Sequence, residues 1–280
     1  MRAWVGGFGQ GRADKLGGMA TQLPGGPRSV DDSPLLQHLK GRHDQRCLSL
    51  YLPAGPGYDP RYYDAQLKDT RASIEATLDD AGRLALDREI AAARDFLADH
   101  RPTGMAMAIF SCVPDGLLDA RRLPEDVGRP LAYLGEVFEL EPLLAQLERR
   151  PPSIVALVEK DHARLFTVVL EDVEELGQTA GREVRRIDQS GTREQFMRQE
   201  HQRVHNNIKQ TVDWLLGQNL PRRGFQQLYV AGPVQARSEF KKMLPKAWQD
   251  AIRGELGLTL DVTANELADR IRQEVGAASR

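Results

Sequence analysis

The chain has 280 residues, 41% hydrophobic and 28% charged, and its 38 basic against 40 acidic residues leave a formal net charge of −2. That balance belongs to a globular, soluble chain rather than a disordered one, and any nucleic-acid surface on it must be local. No apolar run approaches the ~18 residues of a membrane span. The start has no basic end followed by an apolar core, so no secretory signal is read and the expected location is cytoplasmic. The two cysteines, Cys47 and Cys112, fall in predicted strands far apart in sequence. Neither a disulfide framework nor a Cys-based metal site is expected from them, which fits a reducing cytosol.

Residues 1–30 carry many glycines and no apolar periodicity, so they are expected to be disordered, and Met19 is an alternative start. The run Gly7-Phe-Gly-Gln-Gly11 has no strand before it and no helix after it, so it is not read as a phosphate-binding turn. Ser33-Pro34 is a helix start, a capping hydroxyl followed by proline in the first turn. A buried strand is predicted over 46–52. Helices follow over 60–78 and 84–99, joined by Asp79-Asp-Ala-Gly-Arg83 as an antiparallel hairpin with an acidic tip. Strands over 104–111 and 117–123 and a short helix over 141–150 complete a first domain, 31–150, of α+β character.

Arg149-Arg-Pro-Pro-Ser153 is the predicted linker, because consecutive prolines stop a helix and stiffen the chain. A second domain, 153–280, opens with Ile154-Val-Ala-Leu-Val158 and Leu165-Phe-Thr-Val-Val-Leu170. These two β-rich runs flank the polar Glu159-Lys-Asp-His162 and read as a hairpin. A third strand is expected over 172–176, then a glycine-containing polar loop over 177–194. From Gln195 a helix begins, its buried stripe given by Phe196, Val204, Ile208, Val212 and Leu215. A strand over 226–231, helices over 236–243 and 245–253, an edge strand over 258–262 and a helix over 264–275 follow. Strands first and alternation afterwards predict an α/β domain with a mixed sheet.

Charge in this second half is uneven. Residues 182–209 hold seven basic residues (Arg182, Arg185, Arg186, Arg193, Arg198, Arg203, Lys209) against four acidic, and residues 221–246 hold six against one. Arg198, His201, Gln202, His205 and Lys209 share the helix face opposite the apolar stripe. Such a face either binds RNA phosphates or is simply solvated, and charge alone leaves both open. His201 and His205 stand four apart but lack the glutamate of a zinc-protease helix and an evident third ligand, so no metal is assigned to them. No nucleophilic triad or phosphate-cradling loop stands out, and no cofactor is expected.

The stretch Gln195-Phe-Met-Arg-Gln-Glu-His-Gln-Arg-Val-His-Asn-Asn-Ile-Lys209 resembles the helix after the Gly-Gly-Gln loop of archaeal and eukaryotic class I peptide-chain release factors. Phe196, Arg198, His205 and Asn206 fall where that helix carries Phe, Arg, His and Asn. Tyr229-Val-Ala-Gly-Pro233, Glu239-Phe-Lys-Lys242 and Cys47-Leu-Ser-Leu-Tyr-Leu-Pro53 are similar to further segments of the same family, in the same order. The chain is thereby identified as a bacterial relative of that family, with a release-factor-like first domain and a middle-domain-like second one. The resemblance implies the ribosome as partner, through rRNA and the tRNA end, contacted by Arg185, Arg186, Arg193, Arg198, His201, Arg203, His205 and Lys209.

Three departures from the family qualify this. The family's hairpin tip carries a stop-codon-reading Asn-Ile-Lys-Ser motif, absent here, so codon reading is not expected. The family's third domain contacts a translational GTPase, and nothing in this chain implies that partner. The hydrolytic tripeptide should fall on Gln189-Ser190-Gly191, which is not Gly-Gly-Gln. Gln189 or Gln195 is the candidate displaced glutamine, with Gly191 permitting close backbone approach. Two functions lead, ahead of an unrelated RNA-binding or RNA-processing role on the same fold. One is occupancy of the A-site region that protects or blocks idle ribosomes. The other is codon-independent hydrolysis of peptidyl-tRNA.

Overall fold

The computed structural model describes residues 34–54, 60–100, 104–180, 193–258 and 263–278. The run Cys47-Leu-Ser-Leu-Tyr-Leu-Pro53 forms β1 (Cys47–Pro53), buried on both faces. Successive side chains of a strand point to opposite sides. Leu48, Leu50 and Leu52 therefore pack into one apolar layer, while Cys47 and Tyr51 pack into another. The first layer is closed by the helix hairpin α1 (Pro60–Glu75) and α2 (Asp80–Asp99), through Tyr63, Leu67, Leu86, Ile90 and Leu97. The second is closed by α3 (Glu141–Arg149), through Leu143 and Leu147, and by a 3₁₀ segment Pro34–Leu39.

With β2 (Ala106–Cys112), β3 (Leu117–Leu123) and β4 (Leu131–Gly135), β1 makes an antiparallel sheet in the order β3-β2-β1-β4. The acidic hairpin tip is a structural device. Asp79 caps α2 by accepting from the Gly82 amide at 2.9 Å and pairs with Arg46, and these two bonds hold its carboxyl below the ordinary aspartate range. An Asp N-cap of this kind satisfies one of the unpaired donors of the first turn.

The cysteines require a correction. Antiparallel pairing sets Leu48 opposite Ser111, so Cys47 and Cys112 come next, one beyond the other, with Cα atoms 4.6 Å apart and the sulfurs joined as a disulfide. A separation of 65 residues concealed in sequence a contact that strand register makes directly.

After Pro152, β5 (Ser153–Val158), β6 (His162–Val169) and β7 (Asp172–Ala180) form an antiparallel meander. The helix α4 (Arg193–Gly217) leads to β8 (Gln227–Ala231), which lies parallel to β5. Helices α5 (Val234–Met243) and α6 (Lys246–Asp250) carry the chain to β9 (Ile252–Leu256), parallel to β8, and α7 (Ala264–Ala278) ends the fold. The order β7-β6-β5-β8-β9 is a mixed sheet, as α/β alternation implied. Ile154, Ala156 and Val158 of β5 pack with α4, α5 and Trp248, whereas Val155 and Leu157 pack with Leu267, Ile271 and Val275 of α7. Burial on both faces is why this strand reads as an unbroken apolar run.

Several boundaries differ from expectation: α1 ends at Glu75, and α2 begins at Asp80, so most of the expected link 79–83 is its first turn. An edge strand lies at Ile252–Leu256, inside the helix expected over 245–253, which is correspondingly short; the strand expected over 258–262 falls, but for Leu258, outside the described residues. In Ile252-Arg-Gly-Glu-Leu256 only the two ends are apolar, and a register shift against β8 sends Ile252 to the cluster of α4 and α5 and Leu256 to that of α7, while Arg253 and Glu255 are exposed. β7 continues to Ala180, and Gly177 at φ 143 lets it pass close to Trp214 of α4, so residues 177–180, expected in the loop, belong to the strand, while 181–192 lie outside the described residues. α4 begins at Arg193.

The two sheets share no strand, but side chains cross between them. Leu35 packs with the five-stranded sheet, Leu170 with the four-stranded one, and Arg122 donates to Asp172 at 2.8 Å.

The turn Ala231-Gly232-Pro233 shows what its glycine is for. Gly232 has φ 114, and a Cβ there would collide with the carbonyl oxygen of Val158 on the neighbouring strand. Both the left-handed conformation and the close approach demand glycine. Gly232→Ala should destabilise the protein by about 2 kcal/mol. A urea titration showing no shift in midpoint would refute this account of the turn.

Candidate nucleic-acid interface

The helix α4 is placed by its apolar side. Ile208, Val212 and Leu215 are buried against the five-stranded sheet, with Val204 and Trp214 half-buried beside them. A stripe at spacings of three and four fixes the rotation of a helix about its axis. The opposite face is thereby turned outward, and Arg198, His201, Gln202, His205 and Lys209 are all exposed. Arg203 is half-buried at the edge of this face.

Its electrostatics come from neighbours as much as from the helix. Glu200, the nearest acid on the helix, forms an ion pair with Lys160 of the β5–β6 turn at 3.4 Å. Asn207 donates to the backbone carbonyl of Lys160 at 3.1 Å, tying the same turn to the helix. Gln202 donates to Asn206 at 3.2 Å. His205 lies 3.0 Å, through Nδ1, from the carboxylate of Glu239 on α5, so part of its hydrogen-bonding capacity is used inside the fold. Arg198, Arg203 and Lys209 have no acidic partner among the described residues. They are the unpaired cations that this face offers among the described residues.

The second basic segment does not add the charge its composition promises. Arg237 lies 3.2 Å from Glu255, Lys241 pairs with the same carboxylate, and Lys246 lies 2.8 Å from Asp250. Both acids stand just beyond the counted residues 221–246, and Glu255 reaches the helix because β9 lies alongside β8. Half of the six cations are therefore neutralised locally. Arg222 and Lys242 remain exposed.

Of the other expected site residues, Arg185, Arg186, Gln189 and Gly191 lie outside the described residues. Arg193 and Gln195 belong to the first turn of α4 by backbone. His201 and His205 are not brought together with a third ligand among the described residues. A different group is: His43, Cys47, Cys112 and Asp115 offer ligand atoms that all lie within 4.8 Å of one another. The sequence signal for it was two short spacings, His43-x₃-Cys47 and Cys112-x₂-Asp115, each unremarkable until β1 and β2 are paired.

Residues 139–275 match the model of the bacterial archaeo-eukaryotic release factor family 10. No curated protein matches the chain. Among solved structures, the chain is similar to an archaeal translation termination factor, aRF1, at 20% identity, with 87% of this chain and 72% of that one covered and a TM-score of 0.34. It is also similar to Pelota of Archaeoglobus fulgidus, at 16% identity, covering 62% of this chain and 48% of that one with a TM-score of 0.30.

Proposed function

The part of the chain from residue 139 to residue 275 belongs to the bacterial archaeo-eukaryotic release factor family, and from that premise we propose that the protein is a ribosome-associated translation factor. In this reading it occupies the A-site region of idle ribosomes and blocks or protects them. The observation that carries the proposal is the outward face of α4, where Arg198, Arg203 and Lys209 stand without acidic partners among the described residues. Unpaired cations on one side of a rigid helix suit the regularly spaced phosphates of RNA. The helix is held by the sheet, by Asn207 and by the Glu200–Lys160 pair, so its cations are positioned in advance. Preorganisation of this kind lowers the ordering cost of binding.

Hydrolysis of peptidyl-tRNA is the second reading, supported by Gln189, at the first position of the expected Gly-Gly-Gln, and by Gln195 four residues after Gly191. Two features weigh against it. Gln189 is preceded by Asp188, whose charge repels the phosphates of a tRNA end. Gln195 lies inside the first turn of α4 rather than on a loop that could enter an active centre.

A single-turnover assay on ribosomes loaded with peptidyl-tRNA separates the two, with wild type compared to Gln189→Ala, Gln195→Ala and Gly191→Val. Occupancy predicts tight binding that excludes A-site ligands and no release by any variant. Release by wild type that either glutamine change reduces by ~10²-fold or more, with binding intact, would make the protein a hydrolase and overturn the preference.

A further inference from the structure

The geometry points to a zinc site in the four-stranded half of the molecule, formed by His43, Cys47, Cys112 and Asp115 when the two cysteines are reduced. The register of β1 and β2 brings Cys47 and Cys112 to the same end of the sheet, and both are fully buried in the layer that holds Tyr51, Phe110 and Phe138. His43 stands four residues before Cys47, its ring set edge-on to Phe138 at 4.9 Å. Asp115 stands three residues after Cys112, in the 3₁₀ turn Val113–Asp115 that Gly116 closes at φ 64. Asp115 Oδ2 is 2.5 Å from His43 Nδ1 and 3.5 Å from Cys112 Sγ. Two segments far apart in sequence thus deliver two ligands each to one point.

The donor set identifies the ion. Two thiolates, one imidazole and one carboxylate form a four-ligand set of nitrogen, sulfur and oxygen that suits tetrahedral Zn²⁺, and thiolates disfavour the hard cations Mg²⁺ and Ca²⁺. Ligands spaced two to four residues apart on each of two segments are also the usual arrangement of structural zinc sites.

A disulfide alone does not account for the cluster. It explains the pairing of the two sulfurs, but not why an imidazole and a carboxylate converge on them. Nor does it explain His43 Nε2, which is buried with no hydrogen-bond partner, in a side chain only 12% exposed. A buried polar atom left unpaired carries a cost that a bound ion relieves if the ring turns to it.

The two states exclude each other. A peroxide takes two electrons from the thiolates and two protons from solvent, and its O–O bond breaks to give water and an alcohol, or two waters. The sulfurs join, and the ion leaves. In a reducing compartment the dithiol form, and with it the metal, is the resting state.

Metal binding by the full chain, reduced with a phosphine under inert gas, tests the assignment, with Co²⁺ as spectroscopic probe and Zn²⁺ competing against a chromophoric chelator. The expected result is one ion per chain, tetrahedral ligand-field bands and thiolate-to-cobalt charge transfer. The oxidised chain should lose the charge-transfer band. His43→Ala and Asp115→Ala should each weaken binding by ~10–100-fold or more, since even outer partners of a metal are worth that much. Asp115 has a side chain 41% exposed, so its variant folds even where that of His43 does not. Three outcomes would each overturn the assignment: no uptake by the reduced chain, equal uptake by the oxidised chain, or affinity unchanged in Asp115→Ala.

Discussion

Replacement of Glu89 by alanine should cost about 3–5 kcal/mol of stability, a large share of what a domain of this size possesses. Glu89 is a fully buried carboxylate on α2, a helix otherwise packed by Leu86, Ile90 and Ala93. It accepts from the Ser111 hydroxyl at 2.6 Å, from the Val113 amide at 3.0 Å and from Arg88 Nε at 2.9 Å. Alanine would leave the buried Ser111 hydroxyl and the amide at the end of β2 without an acceptor, and each such loss costs about 1–3 kcal/mol. Arg88 is partly exposed and can turn its guanidinium to water, so it adds less. Glu89→Gln keeps the volume and one acceptor, and should cost about half as much. Urea unfolding that shows a shifted midpoint at constant slope would measure the difference as stability. A loss below about 1 kcal/mol for alanine would mean that water replaces the carboxylate and that the site is not dry. Because Ser111 and Val113 flank Cys112, the same carboxylate fixes the backbone that carries two of the four ligands of the zinc site.

How much of this was legible in the sequence depended on whether one segment or several create the feature. β1, β5 and α4 were readable because each holds its own apolar pattern. Val204, Ile208, Val212 and Leu215 alone are enough to turn Arg198 and Lys209 outward. β4, Leu131-Ala-Tyr-Leu-Gly135, went unread because it is a half-exposed edge strand with little alternation, recognisable by its pairing with β1. β9 is hard to recognise because its five residues carry an apolar residue only at each end. Features assembled across elements were the hidden ones. The Cys47–Cys112 pair depends on the register of two strands, and the neutralisation of Arg237 and Lys241 depends on Glu255 arriving from β9. Segment charge was therefore a poor guide to surface charge in residues 221–246 and a better one along α4, where the nearest acid is drawn off by Lys160.

That difference gives the charge on α4 its sharpest test. Reversing Arg198 and Arg203 together should weaken ribosome binding by ~10²-fold near 0.1 M salt. Each phosphate that is no longer neutralised takes about 0.7–0.9 off the log–log salt slope, which at that salt is a factor of roughly 5–8 per phosphate, and the introduced carboxylates add repulsion. The fold should survive, because Arg198 is exposed, Arg203 is half-buried at the rim, and neither belongs to the stripe of Ile208, Val212 and Leu215. Lys246→Glu serves as the control. Lys246 already pairs with Asp250 on an exposed turn of helix, so its reversal changes net charge without removing a cation the ribosome could use. Sedimentation with purified ribosomes across a salt series reads both quantities at once. If the α4 double variant and the Lys246 variant lose affinity equally, binding follows net charge and the helix is not the interface. If neither variant changes affinity and the salt slope is flat, the association is not electrostatic, and the face of α4 has no part in it.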